Sequence, residues 1–99
     1  MKHEVSERSI VVAAKDQVSS DLGGEVAILE LRSGVYYGLD EVGARIWELV
    51  QKPKAVKEVQ AAITEEYEVE TASAERDVLA LLQQLADEGL LEVTDRTHA

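Results

Sequence analysis

The stretch from Ser33 to Trp47 (Ser-Gly-Val-Tyr-Tyr-Gly-Leu-Asp-Glu-Val-Gly-Ala-Arg-Ile-Trp) constrains this chain more than any other, because its hydrophobic period changes within it. Val35, Tyr37 and Leu39 alternate with Tyr36 and Gly38, the period-two pattern of a half-buried strand. From Val42 the spacing is helical, with Val42, Ile46, Leu49 and Val50 on one stripe. Asp40 stands at the switch, where its carboxylate can accept a hydrogen bond from an amide of the first helical turn. Upstream the pattern is mostly β, and downstream it is mostly α.

Upstream, Ile10 to Ala14 is a short β-branched run, read as an edge strand or a segment lying on the sheet. Gln17 to Leu22 is a first regular strand with a thin apolar pattern. Gly23-Gly24 marks a hairpin, since both glycines accept positive φ. Glu25 to Leu31 is the clearest strand, and Arg32-Ser33-Gly34 turns it into Val35 to Leu39. Two tight hairpins in succession predict a three-stranded antiparallel meander.

Downstream, three helices are predicted: Glu41 to Val50, Val56 to Tyr67 and Ser73 to Glu88. Pro53 ends the first. Val56, Val59, Ile63 and Tyr67 form the stripe of the second. In the third, Val78, Leu81, Leu82 and Leu85 follow the i, i+3, i+4, i+7 rule, widened by Leu79 and Ala86. Ser73 or Thr71 caps its start, and Gly89 suits a left-handed terminator. Leu90 to Val93 then reads as a short extended tail that packs back. The fold class is therefore α+β, a meander followed by a three-helix bundle, with helices and a final extended piece in the manner of a winged helix-turn-helix. Residues 17–93 form the domain, 1–16 a partly flexible N-terminal segment with residues 1–9 loose, and 94–99 a flexible tail.

Catalytic chemistry finds no support. His3 and His98 lie in the tails, where a rigid base or metal ligand is least expected. Pairs such as Glu65-Glu66 and Asp87-Glu88 are neighbours in sequence and splay around a helix. The glycines lack the following Lys-Ser/Thr of a phosphate loop, and Glu65 to Glu70 lacks the pattern of a calcium loop. With no Cys, thiolate ligands and disulfides are absent too. No enzyme, no cofactor and no metal are expected. No basic, apolar signal opens the chain and no apolar run reaches the ~20 residues of a membrane span, which points to a cytoplasmic protein.

Charge narrows the partners. The formal net charge is −10, and Glu58 to Asp95 holds eleven acidic residues against Arg76 alone. That field repels nucleic acid and anionic membranes and suits a neutral or basic partner, or simply maintains solubility. A winged-helix nucleic-acid binder needs a basic recognition helix, yet the third helix carries Glu75, Asp77, Asp87 and Glu88.

A binding surface is better supported. Val35 to Leu39 comes last in the meander, so sequential pairing leaves it at an edge. Edges are normally blunted by Lys, Pro or bulges, and this one has none; Gly38 also permits close backbone approach. Such an edge suits strand addition by a peptide, unless a helix or the Ile10–Ala14 run covers it. The wide stripe of the third helix suits either a fully buried helix or one wall of a groove with Arg76, Asp77 and Gln84 as polar rim. An alternative is a structural subunit whose open edge pairs with a second copy, giving a homodimer.

Tyr36-Tyr37-Gly38-Leu39-Asp40-Glu41-Val42-Gly43-Ala44-Arg45-Ile46-Trp47-Glu48-Leu49, with the Asp77-Val78 helix that ends Gly89-Leu90-Leu91, resembles the PqqD family across residues 17–93. That family comprises pyrroloquinoline quinone biosynthesis protein D and the leader-binding proteins of lasso-peptide pathways. The resemblance implies a RiPP recognition element, a peptide chaperone of natural product biosynthesis. Such a domain binds the leader of a ribosomally made precursor peptide as an added strand and presents it to a modifying enzyme. That enzyme would be a leader peptidase or a radical SAM-type maturase, and the domain itself a monomer or homodimer. It also implies backbone pairing along Val35, Tyr36, Tyr37, Gly38 and Leu39. Side-chain contacts would come from Asp77, Val78, Leu81, Gln84 and Leu85, and Arg76 would meet an acidic leader residue. Gly43, Ile46 and Trp47 would serve the fold. The aromatic third strand is more like that of the lasso-type relatives than that of the quinone branch.

Overall fold

The computed structural model describes residues 4–95; His3 and His98 lie outside them. Six strands and three helices follow in the order β1 (Ser9–Ala13), β2 (Gln17–Asp21), β3 (Val26–Glu30), β4 (Val35–Leu39), α1 (Glu41–Leu49), β5 (Lys54–Ala55), α2 (Val56–Tyr67), α3 (Thr71–Asp87) and β6 (Leu91–Asp95).

The expected meander is present as the sheet β2-β3-β4. Gly23 (φ 78°) and Gly24 (φ 103°) make the first turn, where a side chain would be strained. Asp21 Oδ1 accepts the Gly23 amide at 2.9 Å and so helps close it. Glu30 builds the second turn. Its carboxylate accepts the backbone amides of Arg32 (3.1 Å) and Ser33 (2.9 Å) and the Ser33 hydroxyl (2.7 Å). Those donors, the Ser33 hydroxyl first, hold the Glu30 carboxyl below the usual carboxylate range. Register then pairs Ile28 with Tyr37 and Val26 with Leu39, so these side chains share the face that packs into the core. The opposite face shows a row of Val18, Leu29 and Tyr36, of which Val18 and Tyr36 are exposed.

A second sheet, β5-β1-β6, corrects the sequence reading of both chain ends. Ile10–Ala14 was expected at an edge or lying on the meander, but β1 is the central strand of its own sheet. It pairs with β6 over its whole length, Ser9 opposite Asp95 and Ala13 opposite Leu91. The piece after Gly89 is extended and packs back as expected, and its strand β6 runs on to Asp95, into the stretch expected to be a flexible tail. Among the described residues before β1, Val5 is not loose either. Val5 is buried in the core, and its amide donates to Gln83 Oε1 of α3 at 2.8 Å. The folded body thus takes in residues on the N-terminal side of position 17. β1 hydrogen-bonds on both sides, to β5 and to β6, and its Val11 packs completely into the core.

The helices close the core. Asp40 caps α1 as expected, its Oδ1 accepting the Gly43 amide at 2.9 Å. The α1 end is tied to the second sheet, since Ala13 donates its amide to the Val50 carbonyl at 2.8 Å. Glu68, at φ 50°, ends α2 in the left-handed region. α3 begins two residues earlier than expected, at Thr71. Neither Thr71 nor Ser73 caps it; Glu70 occupies the cap position without a side-chain bond to the helix backbone. Its C-terminus follows expectation. Gly89 (φ 77°) donates to the Ala86 carbonyl and Leu90 to the Leu85 carbonyl, the double bond of a Schellman motif. That turn drives Leu90 into the core and aims the chain along β1.

Candidate functional site

β4 is an edge in the structure. Among the described residues it pairs with β3 and with no other strand, and β1 is engaged elsewhere. Alongside it runs a groove of about 880 Å³. One wall is β4 from Tyr36 to Leu39, and the other is the α3 stripe Ala74, Asp77, Val78, Leu81, Gln84, Leu85 and Glu88. Ile46 of α1 and Ile63 and Tyr67 of α2 contribute as well. The groove is a consequence of α3 being wider in its apolar face than one contact uses. Val78, Leu82 and Leu85 are buried, while Leu81 is only half-buried and faces the opening.

Of the residues singled out from sequence, Tyr36, Tyr37, Gly38, Leu39, Asp77, Val78, Leu81, Gln84 and Leu85 all line this groove. Two do not. Val35 sits beyond its end, beside the Glu30 turn. Arg76 does not line it, because each helical residue rotates by about 100° and the stripe through 77, 81, 84 and 88 leaves position 76 to one side. Its guanidinium contact is Ser73 Oγ, at 3.5 Å along its own helix.

Residues taken as fold residues also reach the site. Ile46 lines it, and Gly43 lets α1 close on the end of β4: a Cβ there would stand 3.2 Å from the Leu39 Cβ and 3.3 Å from Asp40 Oδ1. Trp47 is buried on the other side of α1, away from the groove. The α2 and inter-helix contributors Ile63, Tyr67 and Val69 were not singled out. Their helical stripe was visible, but only the closed fold brings them beside β4.

The electrostatics are one-sided. Among the described residues, Asp40, Asp77 and Glu88 line the groove and no Lys, Arg or His does. The Tyr37 phenol is pushed above its ordinary value, first by burial and then by the charges of Glu88 and Glu30. It therefore stays a neutral donor at the groove wall. Behind the site, Arg45 clamps α1 to α2 through a two-bond pairing with Glu66 (2.8 and 2.9 Å) and a bond to Glu48 (2.9 Å). This holds the Glu66 carboxyl below the usual range. Among the described residues no group of His, Cys, Asp or Glu is placed to hold a metal ion. No described helix is long and apolar enough to cross a membrane.

An apolar groove beside an open strand edge is a peptide site by geometry. Comparison with known proteins bears on that. The chain is similar to TbiB1, solved in complex with the TbiA(beta) leader peptide. Identity is 39% and the TM-score 0.76, with 89% of this chain and 98% of that one covered. It is also similar to lasso peptide synthetase B1 complexed with the leader peptide, at 28% identity and a TM-score of 0.73, covering 83% of this chain and 96% of that one. The solution NMR structure of the PqqD truncation of Methylobacterium extorquens PqqCD, a RiPP recognition element, shares the fold. It is 19% identical with a TM-score of 0.65, covering 84% of this chain and 88% of that one. No curated protein matches the chain. The family model of coenzyme PQQ synthesis protein D matches residues 25–91, from β3 through the first residue of β6. β3, β4, the groove-forming helix and its Gly89 terminator all fall within that match, and the chain belongs to the PqqD family.

Proposed function

We propose that this protein is a non-catalytic recognition element that binds the leader of a ribosomally synthesised precursor peptide and presents it to a modifying enzyme. The observation that carries the reading is the open β4 edge facing α3 across an apolar groove. A leader segment adds to β4 as a fourth strand. Its main chain bonds to β4 along Val35 to Leu39 and sets register, while alternate side chains enter the pockets between Val78, Leu81 and Leu85. The similarity to two proteins solved with leader peptides, one of them lasso peptide synthetase B1, supports this choice over a generic peptide. The enzyme partner is a leader peptidase or another maturase acting on the tethered core. Holding the core beside that enzyme by a short linker raises its effective concentration to about the mM scale.

An amide chemical-shift titration tests the reading, using the leader of a precursor peptide encoded beside the gene. Shifts confined to Val35–Leu39 and to the Asp77–Leu85 face of α3 are the expected result. Saturation with shifts elsewhere removes the site. If raising the protein concentration alone moves the β4 amides, the edge pairs with a second copy and the subunit is a homodimer.

A further inference from the structure

We infer that the groove selects a cationic strand, one carrying two Lys or Arg residues four positions apart with an apolar residue midway between them. The inference rests on strand addition at β4 and deepens it by specifying the peptide. Open edge and apolar floor make the site; the charges decide which segment enters it.

Three carboxylates line the groove, and they are not equivalent. Asp40 spends its charge on the start of α1, accepting the Gly43 amide at the positive end of that helix. Asp77 and Glu88 are exposed, and among the described residues neither side chain has an ion-pair partner. Among the described residues, Arg32 pairs with Asp16 and Arg45 with Glu48 and Glu66, while Arg76 contacts Ser73 Oγ and does not itself line the groove. The groove is thus a lane with an unbalanced negative charge at each end, set in a chain of net charge −10.

Spacing follows from geometry. Asp77 and Glu88 are eleven residues apart on one helix, so their Cα atoms are about 16 Å apart along its axis. Side chains of an added strand that face α3 recur at every second residue, and four residues advance it by about 13 Å. The long stems of Lys and Arg span the remainder. Leu81 and Leu85 lie between the two carboxylates on the same stripe, so the helix-facing residue midway along the peptide is apolar. The pattern reads the same in either strand direction, so it holds for parallel or antiparallel addition to β4.

The test is selection of binders from a displayed random peptide library by the purified protein. Binding of the enriched peptides is then measured by fluorescence anisotropy, and their site is mapped by amide shifts. Enrichment of basic residues at spacing four around an apolar centre is expected. Asp77→Asn and Glu88→Gln, both at exposed positions, should each weaken binding by about two- to five-fold, with the loss shrinking at high salt. Enriched peptides that shift β4 but are acidic or charge-free, or that bind both variants as well as the parent, overturn the charge inference and leave the groove standing. A library that yields no binder, or only binders that leave the β4 amides unmoved, overturns the groove reading and this inference with it.

Discussion

The two sheets of this protein have the same number of strands and opposite duties. In β5-β1-β6 the central strand joins residues from both ends of the chain and buries Val11 fully. In β2-β3-β4 the strands are consecutive and one face is exposed at Val18 and Tyr36; among the described residues the outer strands of both sheets pair on one side only, but it is β4 of this sheet that borders the groove. The first sheet is a closure device and the second a platform. A small domain that must offer its backbone to a peptide needs unpaired strand edges, and it tolerates them only if its stability is secured elsewhere.

The sharpest way to break that contrast is to place the same substitution in each sheet. Val11→Asp puts an unpaired carboxylate at the centre of the closure sheet. It should cost about 4 kcal/mol or more, enough to unfold a domain of this size in a urea titration. Val18→Asp, on the open face of the platform, should cost about 1 kcal/mol or less. Equal costs would mean that the meander bears as much of the stability as the other sheet.

Smaller effects sharpen the junction between platform and helices. Asp40→Ala removes the α1 cap and should lower stability by about 1 kcal/mol, while loosening the Leu39 end of the groove. Glu66→Gln breaks the charge pairing of the Arg45 clamp. Both side chains are about a third exposed, so the loss in thermal or urea unfolding should be about 0.5 kcal/mol and decline with salt. Acid adds a directional check. Glu30 and Glu66 are both held below the ordinary 4.5, so their contributions are complete above that pH and are lost as pH falls below it. The Glu30 turn feeds β4, so the protection of the Ser33 to Val35 amides, taken relative to intrinsic exchange at each pH, should fall on acidification, and Glu30→Gln should abolish that dependence.

The platform was legible in the sequence because its information is local. Gly23-Gly24 and Gly34 mark the turns, alternation marks the strands, and hairpin pairing needs no knowledge of distant residues. The closure sheet was not legible. β1 and β6 are separated by nearly the whole chain, β5 has two residues, and a short apolar run such as Ile10–Ala14 carries no label for its partner. The start of α3 was misplaced for a related reason, since its N-cap residue makes no side-chain bond to the helix backbone. At the candidate site, the β4 wall and the α3 stripe were readable from period alone. Arg76 stands one residue of helical rotation off the lining stripe, and the α2 wall of Ile63 and Tyr67 enters only through tertiary packing.

The central claim is that the β4 edge, and not the β2 edge, receives a peptide strand. Amide hydrogen exchange of the free and leader-bound protein tests it most directly, because an added strand protects the amides it pairs with. The account predicts protection that rises by about ten-fold or more for amides within Val35–Leu39 and stays unchanged along Gln17–Asp21. Protection confined to β2, or tight binding that leaves β4 exchange unaltered, would contradict it.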